Sequence, residues 1–177
     1  MTSIMIDIEA LDIRPTAAIA SIGAVHFEPH SDWIGELFHV HVSLENCQRH
    51  GLTIGASTVT WWMSQDDAAR QTLINGQLDA APLITALQAF SAFYPFEAEI
   101  WCNGNSHELP ILLNVYSAVG IDTPWHYADE RDLGTLKGMN KGLRIERTGT
   151  RHNALDDAIY QARLVQHILQ FNPDIDA

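Results

Sequence analysis

Ser3-Ile4-Met5-Ile6-Asp7-Ile8 is the stretch on which the fold turns. Its residues are β-prone and interrupted only by an acid, so 3–8 reads as a strand. Glu9 follows at once, and residues i and i+2 of a strand point to the same face. Asp7 and Glu9 therefore project together from a first, apolar strand suited to the centre of a sheet. Burying two unpaired carboxylates side by side is costly. A divalent cation compensates both at once. The plain alternative is that the strand ends by Glu9 and water solvates the acids.

Outward from this strand, Ala20–Phe27 and Leu37–Val42 read as two more, the second alternating Phe38, Val40 and Val42 against His39 and His41. Those two histidines read as surface residues. Thr58 to Leu73 reads as helix with a break near Ser64, where Asp66 and Asp67 suit a fresh N-terminus. Pro82 opens the next helix, and Leu83, Leu87, Phe90 and Tyr94 form its stripe. A short strand at Glu99–Cys102 leads through Asn103-Gly104-Asn105 into a helix from Glu108 to Val119, stopped by Gly120. The segment 125–150 suggests a strand near Tyr127, a helical turn near Leu133, then a loop rich in Gly and Lys. Leu155, Ala158, Ile159, Ala162, Val165, Ile168 and Leu169 mark a last helix, with Pro173 ending it. Three strands, then helices, then strand–helix–strand–helix predict a mixed central β-sheet flanked by α-helices, an α/β fold.

The 177 residues suit a single domain over 1–177. Apolar residues at 46% and charged residues at 18% exclude a disordered chain. No apolar run approaches the roughly 18 residues that span a bilayer, so no membrane partner is expected. Asp7 and Glu9 interrupt the opening apolar stretch and no basic segment precedes it, which argues against a secretory leader. Cys47 and Cys102 have neither metal-ligand spacing nor a disulfide framework. The expected location is cytoplasmic. A net charge of −12 sits badly with phosphate binding, yet six of the ten basic residues fall between 131 and 151. Only Asp132 and Glu146 oppose them, so this segment is +4 on an acidic body. It is either a solvated loop or a local hold on a short strand.

Near the far end stands Arg151-His152-Asn153-Ala154-Leu155-Asp156-Asp157-Ala158. His152 precedes the last helix and Asp157 lies in its first turns, so both can face one cleft. Asn153 is a natural N-cap, and Asp156 three residues on has a capping job. Asp157 has no such local explanation.

Together, Asp7-Ile8-Glu9 and the His152–Asp157 spacing resemble the DEDDh 3′→5′ exonucleases, the group holding ribonuclease T, oligoribonuclease and DNA-polymerase proofreading subunits. Ile4-Met-Ile-Asp-Ile-Glu-Ala-Leu, Ser21-Ile-Gly-Ala-Val, Thr58-Val-Thr-Trp-Trp, Arg131-Asp-Leu-Gly-Thr-Leu and His152-Asn-Ala-Leu-Asp-Asp-Ala look like its ribonuclease-AS-like and phage or prophage exonuclease-VIII-like branch. The likeness covers nearly the whole chain and implies a ribonuclease H-like fold. One position departs. His107 and Glu108 stand where the family's middle motif has an aromatic residue and Asp. Glu keeps the charge but adds a methylene, and placement errors of about 1 Å can cost on the order of a hundredfold in rate. The bland alternative is that Glu108 only starts its helix.

The resemblance implies a 3′→5′ exonuclease that removes nucleotides from a single-stranded end, with RNA slightly favoured over DNA. It implies two Mg²⁺ or Mn²⁺ ions per active site. Asp7 would bridge them, Glu9 and Asp157 would complete the first site, and Glu108 would serve the second. His152 would act as general base. Ala10 and Leu11 would lie beside the terminal nucleotide, with His107 at an aromatic's place. Trp61 and Trp62 are stacking candidates, of which helical geometry lets at most one face the site. Relatives leave a homodimer open. Two other readings compete: a catalytically weak nucleic-acid-binding relative, and a hydrolase of very short oligonucleotides.

Overall fold

The computed structural model describes residues 2–95 and 97–171. Pro173, expected to end the last helix, lies outside the described residues. Among them a five-stranded sheet runs in the order β3-β2-β1-β4-β5. The strands are β1 (Ser3–Ala10), β2 (Ile19–Phe27), β3 (Ile34–His41), β4 (Glu99–Cys102) and β5 (Glu130–Asp132). β1 is central, antiparallel to β2 and parallel to β4, so the sheet is mixed as the element order predicts. β1 runs two residues past the expected end, and its register slips between Glu9 and Ala10. Such an irregularity re-aims side chains at a strand end.

Alternation along β1 separates two cores. Ile4, Ile6 and Ile8 face one layer, with α4 (Leu83–Phe93) and α5 (Glu108–Val119) supplying Leu87, Phe90, Leu112 and Tyr116. Met5 faces the other, with Ala158, Ala162 and Val165 of α7 (Ala154–Phe171) and Leu133 and Leu136 of α6 (Leu133–Met139). By the same alternation Asp7 and Glu9 point towards α7.

The expected break near Ser64 is present. α2 (Ala56–Met63) ends there, and α3 (Asp67–Gly76) starts on Asp66, whose side chain accepts from the Ala69 N–H at 2.9 Å. Gly120 ends α5 in the left-handed conformation, φ 69°, that an L side chain resists. Two readings of the sequence need correction. Tyr127–Asp129 is a 3₁₀ turn capped by His126, and the strand begins only at Glu130. His39 and His41 are half-buried, not surface residues, with ring centroids 4.6 Å apart, and burial lowers both pKa values. A short helix, α1 (Leu44–Arg49), was not foreseen; Ser43 caps it. Cys47 and Cys102 are free and buried. Among the described residues no helix is long and apolar enough to cross a membrane.

Candidate active site

The distance between β1 and α7 is set by a glycine. Gly23 of β2 lies opposite Asp7 in the sheet. A Cβ there would come within 2.2 Å of the Ala154 carbonyl carbon and 2.3 Å of the Leu155 nitrogen. β2 and the first turn of α7 thus touch backbone to backbone, which only glycine permits. That contact carries the residues flanking Ala154 up against the β1 acids.

α7 is capped by Asn153, whose Oδ1 accepts from the Leu155 and Asp156 N–H groups at 3.1 and 3.2 Å. Asp156 does not complete a reciprocal cap. Its Oδ2 accepts instead from the Thr150 N–H at 2.7 Å and ties down the preceding loop. Asp157 Oδ2 accepts from the His152 N–H at 2.9 Å, which fixes the two residues to each other. His152 holds φ at 60°, an uncommon conformation for a residue with a Cβ. Its ring meets Trp61 edge to face at 4.9 Å between centroids and Trp62 at 5.9 Å. Donor atoms of Glu9, His152 and Asp157 all lie within 4.8 Å of one another, close enough for one cation.

Asp7, Glu9, Glu108, His152 and Asp157 line a single hollow of about 310 Å³, together with Asn103, His107, Lys137, Arg147, Tyr160 and Gln161. Asp7 Oδ1 accepts from Gln161 Nε2 at 2.6 Å. Gln161 follows Asp157 by four residues, so it shares the same helix face. Burial pushes the Asp7 carboxyl up to about 7, against the opposing Gln161 hydrogen bond and with help from the Glu108 charge. Burial and the Asp7 charge push Glu9 up to about 9. These carboxyls strongly resist ionising together without added positive charge. Burial lowers the His152 pKa, and Arg147 lowers it further, both favouring the neutral ring.

Glu108 lies within this hollow at 6% exposure. Burial raises its pKa, while its own backbone N–H and those of Gly104 and Asn103 hold it down. It therefore combines a helix-start role with a place beside Asp7.

A second hollow of about 470 Å³ also borders Glu9, lined with it by Ile8, Ala10, Asp12, Ile13, Ser57, Thr58, Trp61 and His107. The tryptophans divide here. Trp61 is 43% exposed on its wall, whereas Trp62 is buried and its indole N–H donates to the Ala10 carbonyl at 3.1 Å. Leu11 does not reach this wall. It is buried with Ala20, Trp62 and Ala69.

Sequence reasoning passed over three residues here. Gly23 had a signal, a glycine inside an apolar strand. Gln161 had one too, its four-residue step from Asp157. Arg147 was legible only as one charge in a basic stretch.

The sheet order, its flanking helices and the acidic hollow define a ribonuclease H-like fold of the DEDDh exonuclease kind. Solved structures bear this out. The nuclease domain of 3′hExo, a DEDDh family member bound to rAMP, superposes with a TM-score of 0.67 at 14% identity, covering 97% of this chain and 92% of that one. A 3′-exonuclease solved in 3′-end-specific recognition of a histone mRNA stem-loop gives 0.68 at 13% identity, covering 97% and 82%. E. coli Exonuclease I in complex with a dT13 oligonucleotide gives 0.73 at 14% identity, covering 99% of this chain and 42% of that one. The present chain thus spans less than half of Exonuclease I. No curated protein matches. Residues 2–169 match the model of the Rv2179c-like 3′-5′ exoribonuclease domain, so the chain belongs to that family and is a 3′-5′ exonuclease.

Proposed function

We propose that this protein is a divalent-metal-dependent exonuclease that shortens single-stranded RNA from the 3′ end, one nucleotide at a time. The observation that carries this reading is the meeting of Glu9, His152 and Asp157 within 4.8 Å, in the same hollow as Asp7 and Glu108. The family's exoribonuclease description favours RNA over DNA, and the rAMP-bound neighbour is in keeping with it.

The residues present fit a hard divalent cation. Four carboxylates converge, two of them pushed far above their ordinary range by burial. Oxygen-rich donors suit Mg²⁺ or Mn²⁺ better than a structural zinc. Asp7, Glu9 and Asp157 would hold the metal, with Glu108 serving a second ion. When bound, such ions lower the pKa of water and neutralise phosphate charge.

The protein's own groups supply the rest. His152 presents an imidazole whose neutral form burial favours, able to take a proton from the attacking water. Its backbone bond to Asp157 and the contact with Trp61 hold the ring against the hollow. Ala10, Ile13 and the exposed face of Trp61 form an apolar seat for the terminal base, which stacks without regard to sequence. His107 lines both hollows and stands between seat and chemistry.

Digestion of matched 3′- and 5′-labelled RNA and DNA strands of graded length tests the proposal. The expected result is a one-nucleotide ladder from the 3′ end of RNA with Mg²⁺ or Mn²⁺, and none with chelator. Faster digestion of DNA would overturn the RNA assignment. Cleavage confined to dinucleotides would make the protein a hydrolase of very short oligonucleotides. Undiminished cleavage in chelator would overturn the metal assignment.

A further inference from the structure

Arg147 belongs to none of the motifs that define the site, yet its guanidinium lies inside the acidic hollow. Leu143 and Ile145 pack against the α7-side core, whereas Arg144 and Glu146 are exposed. This alternation turns position 147 inward. The Arg147 side chain is 24% exposed, forms an ion pair with Asp157 Oδ1, and sits 4.8 Å above the centre of the Tyr160 ring. Its planar cation is thus held between a carboxylate and an aromatic face. Nη2 is taken up by the Asp157 ion pair, whereas the buried Nε has no hydrogen-bond partner. The guanidinium therefore keeps a directed donor in reserve, and guanidinium donors match phosphate oxygens.

Resting on the metal reading above, we propose that Arg147 is the internal counter-ion of this cleft. It holds Asp157 while no divalent cation is bound, competes with that cation for the carboxylate, and once displaced offers its guanidinium to a phosphate of the strand. Physically, Asp157 cannot keep its full ion pair and also give Oδ1 to a metal. The competition sets the metal affinity below what the four acids alone would reach. It also couples metal loading to the appearance of a phosphate-binding cation at the same place.

Calorimetric titration with Mn²⁺ compares the parent with Arg147→Gln. The expected result is at least fivefold tighter Mn²⁺ binding by the variant. In chelator the variant should melt below the parent, and saturating Mn²⁺ should erase the difference. At saturating Mn²⁺ its KM for a short RNA should rise about tenfold. Unchanged or weaker Mn²⁺ binding overturns the competition, and a melting deficit that persists in Mn²⁺ makes Arg147 a fixed strut. An unchanged KM overturns the phosphate contact. A second measurement needs no variant: phenylglyoxal labelling of the parent, followed by peptide mass spectrometry, should reach Arg147 faster with Mn²⁺ than with chelator. Equal rates overturn the proposal even if the variant does not fold. A parent that binds no Mn²⁺ would sink the metal reading and the competition together. A parent that binds Mn²⁺ normally, with a variant of equal affinity, sinks only the competition.

Discussion

The acidic hollow and the apolar hollow meet at Ile8, Glu9 and His107, but different kinds of backbone hold them. The acidic one hangs on the central strand β1 and the 18-residue helix α7, which the Gly23 contact locks together. The apolar one leans on α2, a helix of 8 residues, steadied by the Trp62 bond to Ala10. Chemistry at a phosphate needs groups fixed to within a fraction of an ångström. Seating a base needs only a flat apolar face. The stiffer framework thus lies under the half that needs precision.

Asp7→Ala should have the largest effect. It removes a carboxylate from the acidic hollow, and turnover should fall at least about a thousandfold, roughly 4 kcal/mol of barrier. Without metal the variant should melt at or above the parent, because a buried, reluctant acid has gone. Near-parental turnover with Mg²⁺ would show that the reaction does not depend on this hollow.

The tryptophans sharpen the division from the other side. Trp61→Ala should raise KM for a short single strand about tenfold with little change in melting, since base stacking on an aromatic is worth about 1–3 kcal/mol. Trp62→Ala should instead cost stability, about 3–5 kcal/mol. If the two variants exchanged phenotypes, the apolar seat would have to be redrawn around Trp62.

A smaller effect comes from titration of the metal-free protein. Asp7 and Glu9 have folded pKa values of about 7 and about 9, above the ordinary carboxylate range. Groups raised on folding stabilise the fold while protonated, and that contribution disappears as pH rises through the folded values. In chelator the melting temperature should fall by a few degrees between about pH 5 and pH 9, and saturating Mn²⁺ should flatten the decline. A melting curve that climbs over this range in chelator would mean the acids are compensated without metal.

What could be read from the sequence divides along physical lines. β1, the break at Ser64, α5 with its Gly120 stop and α7 were legible because each rests on local rules of periodicity and capping. α1 was missed because 6 residues are too few to show a period. The segment after Trp125 was blurred because its 3-residue strand is defined by pairing with β4, not by its own composition. At the site, the spacing of Asp7 with Glu9 already placed that pair on one face, and that of His152 with Asp157 let both face one cleft. Bringing the pairs together is a tertiary event. So is the turning of Arg147 inward, which depends on Leu143 and Ile145 finding the core.

Gly23 carries no chemistry, yet the spacing of the whole site depends on it. With Ala154 and Leu155 backbone atoms within 2.3 Å of where a Cβ would stand, even a methyl group must lever α7 away from β2. His152 and Asp157 would ride outward with the helix while Asp7 and Glu9 stayed on β1. The ruler of this enzyme is therefore a missing atom. A survey that ranks positions by the reactivity of their side chains would pass over it, whereas random mutagenesis scored by activity should find position 23 as intolerant as the acids.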